Sequence, residues 1–380
     1  MKRIKVMEIY FDNAATTPLS PRAAKAYIDT SSSFFGNPSS IHRLGRKAKD
    51  ELERRRGHIA SLLGVDEKNL IFTSGATESI SLFFSSLLWM EKGTIVVSRI
   101  EHEAVSSWMT YLKKIGWNIV KIRAKGGFVT PEELYSSLTP DTRVVAVMAV
   151  NNVTGAIEDT KALVECVRRY EKENGRKILF FSDSVQALGK TGLDLKGSDV
   201  DGASFSAHKI NGPRGVGLLY AKNPEMIRPI ASAGGQEGGH RGGTENLPGV
   251  AAFDEALTEW MENRDEDEKR VMEYNLRLRE SLSNLGLEIL SPENASPYIL
   301  SIVSPLPSEV FTRMLMDKGF CVSSGSACSN NAKGKSEGIL EAMGIRNEKA
   351  KRAIRISMGR DTTKEDVESL ISAFGDLING

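Results

Sequence analysis

The sequence predicts an α/β layered protein with a smaller α+β portion in roughly its last third. Three observations carry this reading. Short apolar runs of strand-forming character recur through the first two thirds of the chain. Helical patterns fill the gaps between them. From about Ala251 a long, highly charged helical stretch begins, and the composition changes with it. Runs that are apolar at every position suit a sheet covered on both faces, and strand–helix alternation suits stacked layers.

The elements follow in order. A helix runs through RLGRKAKDELERRRGHIASLLG and ends at Gly64. The strands are an IFTS run ahead of GATES, then TIVVSRI (94–100), VVAVMAV (144–150), ILFFSDS (178–184), GASFSAH (202–208) and VGLLYA (216–221). A helix starts at TPEEL, where Thr130 caps, Pro131 takes the first helical position and Glu133 closes a capping box. The charged stretch from Ala251 to about Leu285 crosses into the second part. There YILSIVS, GFCVSS and AIRISM read as strands, and TTKEDVESLISAFGDLI reads as a helix with Thr362 and Glu365 in a second capping box. No internal repeat or low-complexity linker interrupts the chain.

Composition narrows the function classes. The 380 residues are 40% hydrophobic and 26% charged, enough for a large core and two or three domains. A net charge of +1 gives no bulk electrostatic reason to bind nucleic acid or an anionic membrane. The start, MKRIKVMEIYFDN, lacks the apolar core and small-residue cleavage site of a secretory signal, and no apolar run reaches membrane-spanning length. The expectation is a soluble cytoplasmic protein. Three cysteines are no disulfide framework: Cys166 reads as core and Cys321 as a strand start. The five histidines lack metal-ligand spacing, so no metal site is expected.

Polar residues gather where strand patterns stop. Gly75, Ala76, Thr77 and Glu78 open a helix and offer amides and a hydroxyl to a phosphate, or form an ordinary capped turn. His102 follows VVSRI and suits ring stacking or proton transfer, or is simply structural. Asn151 and Asn152 orient a ligand or shape a turn. Asp183 ends an apolar strand, where a carboxylate needs a partner, and a protonated heterocyclic nitrogen is one. Gln186 lies just beyond it. Ser206, His208 and Lys209 end the next strand. Burying an ammonium costs several kcal/mol, so Lys209 either snorkels to water or its amine does chemistry. Together these residues describe a pocket for an aldehyde cofactor with a phosphate and a pyridine ring. In it Lys209 forms a Schiff base and Asp183 keeps the ring nitrogen protonated.

At this point the chain resembles the class V aminotransferase group of fold-type I pyridoxal-phosphate enzymes, and within it the cysteine desulfurases that feed iron–sulfur cluster assembly. The resemblance spans almost the whole chain. It rests on YFDNAATTP, FGNPSSIH, TSGATES, EHEAV, NNVTG, SDSVQALGK, SFSAHKINGPRG, GGQEGGHRGGTEN, SSGSACS and IRISMGR, in that order. It implies an aspartate-aminotransferase-like fold: a large mixed-sheet α/β/α domain over 20–255, and a smaller α+β domain from 1–19 and 256–380 carrying a catalytic-cysteine loop at about 323–337. It also implies roles. Lys209 carries the cofactor. Asp183 partners the ring nitrogen and Gln186 the ring hydroxyl. His102 stacks on the ring and carries protons. Ala76, Thr77, Ser206 and His208 hold the phosphate. Thr244 completes the phosphate site of a second subunit, so a homodimer is implied. Asn152 and Arg355 contact the substrate carboxylate, for which the planar fork of arginine is suited.

Cys328 sits in SSGSACSNNAKGKSE, a glycine-containing stretch with little apolar content. A core cysteine belongs in an apolar pattern, so the residues alone leave a functional and an incidental thiol equally open. The resemblance matches it to the family's catalytic cysteine. L-Cysteine would give up its sulfur to Cys328 as a persulfide and leave as L-alanine. An iron–sulfur scaffold or another acceptor protein would take the sulfur onward. Only a thiolate is a good nucleophile, and His102 is one candidate for deprotonating it. Two rivals remain: an aminotransferase or lyase on the same fold, which does not need Cys328, and a non-enzymatic scaffold or thiol sensor, which binds no chromophore.

Overall fold

The computed structural model describes residues 8–230, 234–324 and 338–379. Strand β1 (Ile9–Tyr10) leads to helix α1 (Pro21–Ser33), where Ser20 accepts the Ala23 N–H and Pro21 takes the first position. Helix α2 (Arg43–Leu63) stops at Gly64, whose φ of 67° is the left-handed value that suits glycine. There follow β2 (Leu70–Thr73), α3 (Ala76–Ser86), β3 (Thr94–Ser98), α4 (Glu103–Lys114), β4 (Asn118–Ile122), α5 (Pro131–Ser137), β5 (Thr142–Ala146), α6 (Thr160–Asn174), β6 (Leu179–Asp183), β7 (Gly202–Ser206) and β8 (Gly217–Ala221). The capping box of α5 forms as the sequence predicts, with Glu133 N–H donating to Thr130 and Thr130 N–H donating back to the Glu133 carboxylate.

Seven strands form one sheet in the order β2-β8-β7-β6-β5-β3-β4. Only β8 runs against its neighbours. The carboxyl ends of the other six therefore share one edge. Alternate residues enter two separate apolar layers: Phe72, Val96, Val145 and Phe180 join one, and Ile71, Val97, Val144 and Phe181 the other. That is why these strands read as continuous apolar runs. Edge strand β4 is half-exposed, which hid it from the same reading.

The second part holds α7 (Leu247–Asn284), β9 (Glu288–Ile289), β10 (Ile299–Val303), α8 (Ser308–Asp317), β11 (Phe320–Cys321), β12 (Ser323–Ser324), α9 (Ile339–Ala342), α10 (Asn347–Ala350), β13 (Ala353–Ser357) and α11 (Lys364–Asn379). Helix α7 starts four residues before Ala251, because Asn246 accepts the Gly249 N–H and Pro248 is tolerated in the first turn. Strands β12-β13-β10-β9 make an antiparallel sheet. Strand β1 pairs with β11, and Asp12 bridges Ser357, so the start of the chain is stitched to its last third.

One expected cap moves. The box at α11 is Thr363 with Asp366, not Thr362 with Glu365: Asp366 N–H donates to Thr363 Oγ1 at 3.1 Å, and Thr363 N–H to Asp366 Oδ2 at 2.9 Å. Both registers satisfy the motif. Thr362 is taken by the preceding turn, where its hydroxyl accepts the Gly359 N–H.

Candidate active site

The loops leaving the carboxyl ends of β2, β3, β5, β6 and β7 line one cleft of about 740 Å³. Ala76, Thr77, His102, Asn152, Asp183, Gln186, Ser206, His208, Lys209 and Arg355 are all on its wall. Of the other sequence-derived candidates, Thr244 is exposed ahead of α7 and is not among the residues lining this cleft. Cys328 lies outside the described residues; Ser323, on the same stretch of sequence, lines the cleft.

Gly75 precedes α3, and no side chain caps that helix. The amides of its first turn are therefore available where Gly75, Ala76 and Thr77 meet the cleft, with the positive end of the helix dipole behind them. A Cβ on Gly75 would stand 3.8 Å from Ser206 Oγ and take up space between the two. His208 faces Thr16 Oγ1 at 3.1 Å. Burial, then the charges of Lys209, Arg214 and Lys190, push its pKa down to about 4, so it stays neutral.

Lys209 ends a 3-10 turn, Ala207–Lys209, directly after β7. Its ammonium donates to the carbonyls of Ala14 at 2.8 Å and Ala15 at 2.7 Å. The YFDNAATTP segment thus forms part of the site. Thr17 donates to the His208 carbonyl and accepts the Asn211 N–H, which pins the turn from below.

Asp183 ends β6 fully inside the protein, and its Oδ1 accepts from Val185 N–H and the Ser204 hydroxyl, both at 3.2 Å. Burial pushes this carboxyl up, while His102 and Lys209 pull it back. A cationic N–H in the cleft would favour its charged form. His102 caps α4, with the Ala104 N–H donating to Nδ1 at 3.1 Å. A neutral ring then carries its proton on Nε2. The adjacent Glu101 is wholly buried, accepts from Ser98 and Met148 N–H, and is pushed up to about 8 chiefly by burial.

The two asparagines divide the roles left open above. Asn151 Oδ1 accepts the Val153 and Thr154 N–H groups at 3.0 Å and builds the turn. Asn152 lines the cleft with a buried Oδ1 that has no partner among the described residues. Arg355, on β13, donates to the Asn152 carbonyl at 2.8 Å and to Asp12 Oδ1 at 2.7 Å, and its Nε–H is buried without a partner. Asp12, Glu101 and Arg214 had no role in the sequence reading. All three lie inside quoted motifs, YFDNAATTP, EHEAV and SFSAHKINGPRG, which was the one available signal.

The thiols of Cys166 and Cys321 are both pushed up, mainly by burial, and a raised thiol is a poor nucleophile. Among the described residues no group of His, Cys, Asp and Glu is gathered to hold a metal, and no helix is long and apolar enough to cross a membrane.

The cleft fits pyridoxal phosphate. It offers an anion cradle at α3, a buried carboxylate at Asp183, an amine at Lys209, and orphaned groups on Asn152 and Arg355 for a further polar ligand.

A family model described as aminotransferase class-V matches residues 9–370. A NifS/IcsS protein homolog from Lactobacillus delbrueckii subsp. bulgaricus is 37% identical, over 97% of each chain. A cysteine desulfurase IscS from Proteus mirabilis is 35% identical, over 98% of this chain and 94% of its own. A solved NifS-like protein superposes with a TM-score of 0.90 at 34% identity, covering 98% of this chain and 100% of its own.

Proposed function

The chain belongs to the class-V aminotransferase family, and from that premise we propose that it is a pyridoxal-phosphate-dependent cysteine desulfurase. It takes sulfur from L-cysteine, releases L-alanine and leaves a persulfide on Cys328. The observation that carries this reading is the convergence of Lys209, Asp183 and Arg355 on one cleft, from two different sheets.

Bound pyridoxal phosphate supplies an electron sink for the bonds at the substrate Cα. The chain's residues do the rest. Ala76, Thr77, Ser206 and His208 would hold the phosphate, Gln186 would bind the ring hydroxyl and His102 would bind the ring. Asp183, as an anion, holds a proton on the ring nitrogen. Lys209 Nζ moves the proton at the substrate Cα. Arg355 and Asn152 orient the substrate carboxylate, for which Arg355 has an unused N–H. The Cys328 thiolate attacks the substrate sulfur. A sulfur–sulfur bond forms, the substrate carbon–sulfur bond breaks, and its electron pair ends as a C–H bond of alanine. Thiol plus cysteine gives persulfide plus alanine, so no outside oxidant is needed.

The same reading divides the chain into a large domain, 20–255, and a small one, 1–19 and 256–380. It pairs two copies so that Thr244 of each reaches the other's phosphate site. Phe35 and Ile41, 71% and 87% exposed, are apolar side chains that an interface between copies would cover. Sulfur then passes, in the cytoplasm, to an iron–sulfur scaffold or another acceptor.

The test is alanine release from L-cysteine by wild type and Cys328→Ala, side by side. Activity that disappears in the variant is expected. Activity that survives makes Cys328 dispensable and favours a lyase. No alanine from a yellow wild type points to an aminotransferase or another substrate.

A further inference from the structure

Lys190 closes the SDSVQALGK stretch and is 3% exposed. Its ammonium lies over the rings of Trp260 and Tyr298, 5.7 and 6.0 Å from their centres. Its only side-chain hydrogen-bond acceptor among the described residues is Gln186 Oε1, at 3.4 Å. No carboxylate among them pairs with it. The charges that bear on it are those of Lys209 and Arg355, both positive, and Arg360 sits over the Trp260 ring at 5.9 Å. Burial first, then Lys209 and Arg355, push its pKa down to about 7. A buried ammonium with one long hydrogen bond is a liability to folding, and an apolar side chain of equal length satisfies the same aromatic walls.

What Lys190 does is set the sense of the Gln186 amide. An ammonium donates and cannot accept. It therefore takes the amide oxygen and leaves the NH₂ group facing away. That NH₂ donates to the Ala14 carbonyl at 2.9 Å, the carbonyl that also accepts from Lys209 at 2.8 Å. The flipped amide would set NH₂ against ammonium and oxygen against carbonyl, so both contacts would be lost together.

We propose that Lys190 is a positioning residue, locking the Gln186 amide with its NH₂ group on the pocket side so that it can donate to the ring oxygen of the cofactor. This rests on the reading in which Gln186 faces that oxygen. A neutral amine can accept as well as donate, so the lock loosens as pH rises past neutrality. A cofactor that takes up the charge of Lys209 removes one repulsion on Lys190 and tightens the lock.

The experiment is a pH titration of the bound chromophore's absorbance in the holoenzyme, with steady-state kinetics and melting temperature. The proteins are wild type, Lys190→Met, Lys190→Arg, Gln186→Ala and the Lys190→Met/Gln186→Ala double variant. Lys190→Met is expected to melt no lower than wild type. It should nonetheless shift the chromophore's midpoint by about half a pH unit or more and lower kcat about tenfold. Lys190→Arg restores most of both, and Lys190→Met adds nothing once Gln186 is alanine. A midpoint unchanged in Lys190→Met, or fully additive effects, overturns the proposal. If Lys190→Met does not fold, Lys190→Gln in the same titration decides between the same outcomes. A wild type that binds no chromophore overturns the pocket reading and this proposal with it, whereas a bound chromophore that ignores residue 190 overturns this proposal alone.

Discussion

His102 carries a constraint that its position in the motif does not show. Its Nδ1 is occupied by the Ala104 N–H, so capping α4 and accepting a proton compete for the same ring. In the neutral ring Nε2 is a donor, and a second proton must go to Nδ1 at the expense of the cap. If His102 takes part in proton transfer, for example by deprotonating Cys328, the ring moves off its cap during turnover. His102→Gln should lower kcat by about 10²-fold, the lower end for lost acid–base assistance, and remove its limb from the pH–rate profile. A profile identical to that of wild type rules out this role.

At the scale of an element, β2 shows how an exposed sheet edge is closed. Strand β8 pairs with one side of β2. On the other side, the Phe72 N–H donates to Glu237 Oε2 at 2.7 Å. The same carboxylate accepts two hydrogen bonds from Arg56 at 2.8 Å, and Arg56 lies 4.6 Å over the Phe72 ring. A buried carboxylate thus ties the segment that leads to Thr244 onto the sheet edge and leaves no free N–H there for another chain. Glu237→Ala strands Arg56 without its buried partner and should cost about 3–5 kcal/mol. The denaturant midpoint measures this. A loss under 1 kcal/mol shows that the segment relaxes without its anchor.

Folding stability belongs to the whole molecule, and Glu158 sets part of its pH dependence. Both its oxygens lie 3.0 Å from the Val129 N–H, and burial pushes it from 4.5 up to about 8. The folded state then binds this proton more tightly than the unfolded chain. Between about pH 4.5 and 8 the folded state holds more protons, so this group's contribution to stability falls as pH rises. Glu158→Gln should be neutral near pH 5 and stabilising by about 1–3 kcal/mol near pH 8, read from unfolding curves at the two values. Equal effects at both show that Glu158 titrates normally. Lys190 acts with the opposite sign: its lowered pKa makes stability rise with pH above about 7.

The sequence by itself determined the strands of the large sheet, because a strand buried on both faces is mostly apolar, and Val144–Ala146 and Leu179–Phe181 are apolar at every position. It also marked Asp183 and Lys209, since a charge at the end of such a strand calls for a partner. Pairing decided what had no local signal. Strands β1 and β9 are two residues each and exist only through their neighbours. The Thr363 cap won over Thr362 through a contact with Gly359. The Asp12–Arg355 pair spans 343 residues of sequence, and the Ala14 carbonyl that receives both Lys209 and Gln186 is backbone, which no side-chain pattern advertises. Nothing local in the sequence marks Lys190 as buried; Trp260 and Tyr298, distant in the chain, close over it. Local sequence dictates which residues are apolar and where polar ones interrupt them. Which distant groups then meet in a low-dielectric interior, and so which pKa values and hydrogen-bond senses result, is settled only when the layers pack.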